Sequence, residues 1–151
     1  MLFRSGTLSA PWYRRDDGTM TIGFDPKGWL EFCRERGTHA YDDCLPVPAV
    51  FAYAWKLKEQ GAKVYVLSTV EQQIEVEAKR AFVDRVAPGV FDDVIGSKSN
   101  DEKVDIILRY AQEAGAAPEE CELIEDHYMI ALEAMYAGIR ATHVSHIFAG
   151  M

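Results

Sequence analysis

The sequence predicts an α/β domain of three layers, with a mainly parallel sheet and helices on both faces, and three observations carry that expectation. Residues 121–144 read as strand, acidic turn, helix and strand in unbroken succession. Residues 63–67, KVYVL, form a β-branched apolar run that leads directly into Ser68 and Thr69. Around these two segments, apolar stripes at three- and four-residue spacing alternate with short β-prone runs, the pattern that βαβ units leave in a sequence.

Taken in chain order, residues 1–8 (MLFRSGTL) give a very short apolar start followed by Gly-Thr. Residues 11–24 read as a β-hairpin, with Trp12, Tyr13 and Arg14 on one arm, Asp16-Asp17-Gly18 as the turn and residues 19–22 on the other arm. Asp-Gly between β-prone runs is a strong short-range hairpin signal. Asp25-Pro26 has the form of an N-cap followed by proline in the first helical turn. Trp29, Leu30, Phe32 and Cys33 give the helix that follows an apolar side, and it should stop near Gly37, leaving residues 38–46 as a loop. Val47, Val50, Phe51, Ala54 and Leu57 mark the next helix, closed by Gly61. The strand at 63–67 comes next, and then a helix on Ile74, Ala78, Phe82 and Val86, stopped by Pro88-Gly89. Residues 94–96 suggest a third strand, and Asn100 or Asp101 can cap a helix carrying Val104, Ile107, Leu108 and Ala111 that ends near Gly115. In the last segment, 121–124 is an apolar run ending in the adjacent carboxylates Glu125 and Asp126. Ile130, Ala131, Ala134, Met135 and Gly138 stripe a helix, and residues 139–144 return to strand. Ligands of such sheets gather at the carboxyl ends of the strands, where Ser68, Thr69, Glu125 and Asp126 stand.

Composition narrows the function classes. A chain of 151 residues, 48% of them apolar, can bury one core and is most simply one domain. Its formal net charge of −8 argues against nucleic acid or an anionic membrane as partner. Three cysteines, Cys33, Cys44 and Cys121, without CxxC spacing, read as free thiols of a reducing compartment. The first residues do not have the form of an export signal, and no apolar run approaches membrane-spanning length, so a cytoplasmic location is expected.

In this order the motifs resemble those of the haloacid dehalogenase-like (HAD) superfamily. That family carries four motifs at strand ends: an Asp-x-Asp-Gly-Thr turn, a Ser or Thr after a strand, a lysine, and a late acidic pair. KVYVLS resembles the second with Ser68, DEKVDII the third with Lys103, and LIED the fourth with Glu125 and Asp126. Receiver domains also use carboxylates, a hydroxyl and a lysine, but in the opposite order. The resemblance implies a Rossmann-like HAD fold over residues 1–151, with a flap hairpin at about 11–24 and a small helical insertion at about 25–45. It implies a phosphomonoester of a small molecule as substrate and Mg2+ as cofactor. Ser68 and Lys103 would hold the transferring oxygens, Gly6, Thr7 and Thr69 would contact the substrate, and Asp126 with Glu125 would fix the metal directly or through water. The chemistry suits these groups, because a carboxylate attacking phosphorus needs the charge of the phosphoryl oxygens offset.

The first motif departs from the pattern. Placing Gly6-Thr7-Leu8 on its Gly-Thr-Leu puts Phe3 at the nucleophile and Ser5 at the acid/base position, and neither side chain can do that work. A second placement, on Phe24-Asp25-Pro26-Lys27-Gly28, keeps Asp25 as nucleophile but puts Lys27 at the second aspartate and takes the helix N-cap away. Asp17-Gly18-Thr19, preceded by two arginines, is the hairpin turn. The first placement leaves two explanations, a decayed active site that makes the domain a non-catalytic relative, or a missing first strand ahead of Met1. Ordinary structural roles stand beside each site residue: Ser68 as a helix N-cap, Lys103 as a solvated surface residue, Glu125-Asp126 as a complement to a helix dipole. His127, His143 and His146 invite a metal reading without enough ligands to carry it. Trp12, Trp29 and Trp55 read as packing residues.

Overall fold

Five parallel strands form the spine of the molecule, and the sequence segments that build it are short. The computed structural model describes the backbone of residues 2–5, 9–10, 12–14, 17, 20–22 and 26–149, and the side chains of Asp17 and of residues 29–147. In chain order the elements are β1 (Leu2–Ser5), β2 (Ser9–Ala10), β3 (Trp12–Arg14), β4 (Met20–Ile22), α1 (Pro26–Arg36), β5 (Leu45–Pro46), α2 (Pro48–Glu59), β6 (Val64–Thr69), α3 (Gln73–Val86), β7 (Asp93–Ser97), α4 (Lys103–Glu113), β8 (Glu122–Glu125), α5 (Tyr128–Tyr136), β9 (Arg140–His143) and α6 (Val144–Ala149).

The main sheet has the order β7-β6-β1-β8-β9, every pairing parallel. The very short apolar start of the chain thus occupies the centre: β1, with four residues, pairs with β6 on one side and β8 on the other. Its register sets Arg4 level with Val66 and Ile124, and Ser5 level with Glu125. The expected hairpin is present, with Trp12 opposite Ile22 and Arg14 opposite Met20. Residues 38–46 are not wholly a loop. A 3-10 turn covers Gly37–His39, and Leu45–Pro46 pairs antiparallel with Ser9–Ala10. A two-residue edge pairing that contains proline carries almost no sequence signal. The final helix, α6, was likewise not expected from the sequence; its six residues are too short for a legible stripe.

Strand alternation sorts the core into two layers. Val64, Val66, Val94 and Ile124 pack with residues of α2 and α3 and with Cys33 of α1. Their neighbours Leu67, Ile95 and Leu123 point the other way, against Val104, Ile107, Ile130 and Ala134 of α4 and α5. Helices on both faces of one parallel sheet complete the three-layer α/β architecture. Gly138 ends α5 with φ +87°, the left-handed conformation its place in the sequence predicts. Trp29 packs as expected, 5.8 Å from the Phe32 ring and 5.3 Å from Tyr41. Trp55 does not: it is 49% exposed and donates to Glu59 within its own helix. The side chain of Trp12 lies outside the described residues. Cys33 and Cys121 are buried, Cys44 is half-buried, and all three are free.

Gly96, at the carboxyl half of β7, is held there by α3 and the turn before it. A Cβ at this position would lie 2.7 Å from Val70 Cγ2 and 2.9 Å from Val76 Cγ2. Short β-branched side chains cannot swing aside, so the helix itself must shift. Gly96→Ala is therefore expected to destabilise the fold by about 1–3 kcal/mol, read as a lower urea midpoint with an unchanged slope.

Candidate functional site

Because every strand of the main sheet runs the same way, the carboxyl ends of β6, β1, β8 and β9 share one edge. The sheet therefore brings Ser68 and Thr69, Ser5, Glu125 with Asp126, and His143 to a common rim.

Ser68 follows Val66 on the face covered by α3, where its hydroxyl is buried and accepts a hydrogen bond from Lys79 Nζ. It does not cap α3. That cap is Gln72, in a reciprocal capping box with Glu75, whose Oε2 accepts the backbone N–H groups of Glu71 at 2.8 Å and Gln72 at 3.0 Å. Glu75 Oε1 accepts from Trp29 Nε1 at 3.0 Å, which ties α1 to the head of α3. Lys79 stands one turn after Glu75 and also lies 5.7 Å from the Tyr41 ring. Burial pushes the Lys79 ammonium down to about 8. The Lys103 charge acts in the same direction, while Glu75 and Asp126 pull against it. Lys79 was not singled out from the sequence, although it is four residues from Glu75 and borders the Ala78–Phe82 stripe, which places it on the sheet-facing side of α3.

Thr69 alternates to the opposite face. Its hydroxyl donates to Asn100 Oδ1 at 2.7 Å and lies 3.3 Å from Ser97 Oγ, so it is engaged with the turn before α4 and not with the Ser68–Lys79 pair.

Lys103, at the head of α4, is 3% exposed and not the solvated residue its type suggests. Its Nζ lies 3.3 Å from Glu125 Oε2, and Glu125 is wholly buried. The other oxygen, Oε1, accepts from the backbone N–H of Asp126 at 3.0 Å and of His127 at 3.1 Å. Burial, then the adjacent Asp126 carboxyl, push Glu125 up to about 7, against the pull of Lys103 and the His127 amide. Asp126 is exposed at the start of the turn into α5. His143 at the end of β9 braces that turn. Its Nδ1 accepts from Ser145 N–H at 3.3 Å, so Nε2 carries the proton and donates to the Asp126 carbonyl at 3.1 Å.

Two pairs thus flank the carboxyl end of β1: Ser68–Lys79 on the α3 face and Lys103–Glu125 on the α4 face. Phe3 and Ser5 are on β1 itself, their side chains outside the described residues. Gly6, Thr7 and Asp25 also lie outside them. As for a metal, the described residues contain no group of three His, Cys, Asp or Glu side chains placed to hold one. Both oxygens of Glu125 are committed internally, and the exposed Asp126 carboxyl touches Glu125 and lies within electrostatic range of Lys79. Magnesium is held through one or two carboxylates, and among the described residues the exposed Asp126 carboxylate stands within electrostatic range of the Lys79 ammonium, a charge that disfavours a divalent cation there.

No protein-family model and no curated protein matches the chain. Solved structures do. A HAD family enzyme of Bacteroides thetaiotaomicron, solved as a magnesium complex, is similar over 97% of this chain and 96% of that one, with 17% identity and a TM-score of 0.57. The same enzyme with magnesium and inorganic phosphate covers 94% and 92%, at 14% identity and a TM-score of 0.55. A HAD-superfamily hydrolase of Ehrlichia chaffeensis covers 93% and 89%, at 17% identity and a TM-score of 0.55. The chain has a HAD-like fold, as its ordered motifs imply. No helix among the described residues is long and apolar enough to cross a membrane.

The Lys103–Glu125 pair makes a pH-resolved prediction. Glu125 is held above its ordinary value in the folded state, so its contribution favours folding at low pH and fades as pH rises through about 7. Removing Lys103 takes away a group that lowers this pKa and strands a buried carboxylate. Lys103→Met should cost more stability at pH 8 than at pH 5, with a loss of about 3–5 kcal/mol where Glu125 is ionised. Urea denaturation at the two pH values measures the difference, and equal losses would contradict it.

Proposed function

We propose that this domain recognises the phosphoryl group of a phosphorylated small molecule at the carboxyl edge of its sheet, and does not turn it over by an aspartyl-phosphate route. The observation that supports this reading is the placing of Ser68 with Lys79 and of Lys103 with the acidic turn on either side of a central strand that carries Phe3 and Ser5. A hydroxyl and two ammonium groups are the donors that phosphoryl oxygens take. A phenyl ring cannot attack phosphorus, and a hydroxymethyl group cannot replace a carboxylate as acid and base. That a relative in fold is solved with inorganic phosphate supports the same ligand class. Ser68 would hydrogen-bond one phosphoryl oxygen, Lys103 would offset its charge, and Asp126 would stay at the rim to receive a donor of the ligand. The net charge of −8 disfavours nucleic acid as the phosphorylated partner.

A second reading, a magnesium-dependent phosphatase with Asp25 as nucleophile, follows from the placement of the first motif on residues 24–28. One assay separates the two. Phosphate release from a generic phosphomonoester in the presence of magnesium is compared between the parent and Asp126→Ala, both checked for folding by circular dichroism. Neither is expected to exceed background. Release by the parent that disappears in Asp126→Ala would establish an enzyme, overturn the first reading and make Asp25→Asn the variant to assay next.

A further inference from the structure

Lys79 has no place in the motif resemblance, yet its ammonium group is on the Ser68 hydroxyl. Among the described residues no carboxylate lies within ion-pair distance of it, and its other close partner is the face of Tyr41. It is half-buried, on a helix whose start is pinned by the Gln72–Glu75 capping box and by Trp29, so its position is built and not incidental. Lys103 reaches the same rim from the opposite layer and lies within electrostatic range of Lys79, as does Asp126. Lys103 is paired with Glu125, whereas Glu75 and Asp126 act on Lys79 from beyond ion-pair distance. The HAD pattern would place two carboxylates at that point, on the central strand, and the placement of its first motif on Gly6-Thr7-Leu8 sets Phe3 and Ser5 there.

We infer that Lys79 is a second phosphoryl-binding cation, and that with Lys103 and Ser68 it holds a phosphate dianion without a metal ion. This rests on the phosphate-recognition reading above and adds to it a residue and a metal requirement of zero. Ser68 accepts from Lys79 and so presents its own proton to a phosphoryl oxygen, while Lys79 and Lys103 donate to the remaining oxygens from two sides. A magnesium ion between two lysines would be repelled by both, whereas a dianion is drawn by both.

Titration of inorganic phosphate into the full chain by calorimetry, once in EDTA and once in magnesium, tests this. Binding is expected in EDTA, with magnesium changing the dissociation constant by less than about twofold. Lys79→Met should weaken it by about 10- to 100-fold, as loss of a charge-assisted hydrogen bond does. Lys79→Arg should retain most of it. The urea midpoint of Lys79→Met should equal or exceed the parent's, because methionine replaces a partly desolvated ammonium; a purely structural lysine would lower it. In the parent, the 13Cε resonance of Lys79 should shift on adding phosphate, a readout that needs no variant. Lys79→Met binding like the parent, or a Lys79 resonance that stays put, overturns the role of Lys79 and leaves phosphate recognition standing on Lys103. Binding seen with magnesium alone overturns the metal-free site while preserving phosphate recognition. No binding under either condition overturns both.

Discussion

A carboxylate with no solvent contact sets the terms at the working edge of this domain. Glu125 ends the strand beside the centre of the sheet, and burying an ionised carboxylate is costly unless donors surround it. Three donors meet that need: two backbone N–H groups of the turn it begins and the ammonium of Lys103. Each has a structural consequence. The backbone contacts shape the entry into α5 and leave Asp126 facing outward, and the lysine contact fixes the head of α4 against the sheet. The adjacent acids therefore divide their roles, one buried in the fold and one exposed at the rim.

The opposite layer solves a similar problem differently. Glu75 is also buried, and it uses its two oxygens to start α3 and to anchor Trp29. That places Lys79 one turn further on, over Ser68. The two lysines thus belong to helices on opposite faces of the sheet, and the only place where they can act on one ligand is beyond the strand ends. A shared edge of parallel strands makes such convergence possible, because side chains that alternate to different layers along a strand regain a common space where the strand stops.

Similarity to solved HAD-like structures at 14–17% identity concerns the fold. Layer order and strand pairing tolerate wide replacement as long as apolar residues fall on the correct faces, whereas chemistry depends on particular groups at particular strand ends. Here the hydroxyl of Ser68, the lysine and the acidic turn are present around a central strand that runs Leu2–Ser5. Likeness of fold therefore leaves the chemistry of this chain to the particular groups at its strand ends.

Much of the architecture was legible in the sequence because periodicity is a local property. The run at 63–67 announced β6, the stripe Ile74, Ala78, Phe82 and Val86 announced α3, and the Asp-Gly turn announced the β3–β4 hairpin. What was missed lacks local signal: a two-residue strand with a proline in it, and a short last helix. The site was legible only in part. Ser68, Lys103, Glu125 and Asp126 could be named from the order of their motifs, but their neighbours could not. Whether Thr69 joins Ser68 or turns to Asn100, and whether Glu125 is free or spent on Lys103 and two amides, depends on which layer covers each strand face. By itself the sequence determined the elements, their order and the residue types at the strand ends. Tertiary structure alone decided that Lys79 and Lys103 approach one edge from opposite sides, since the 24 positions separating them in the chain say nothing about a distance set by packing two helices on one sheet.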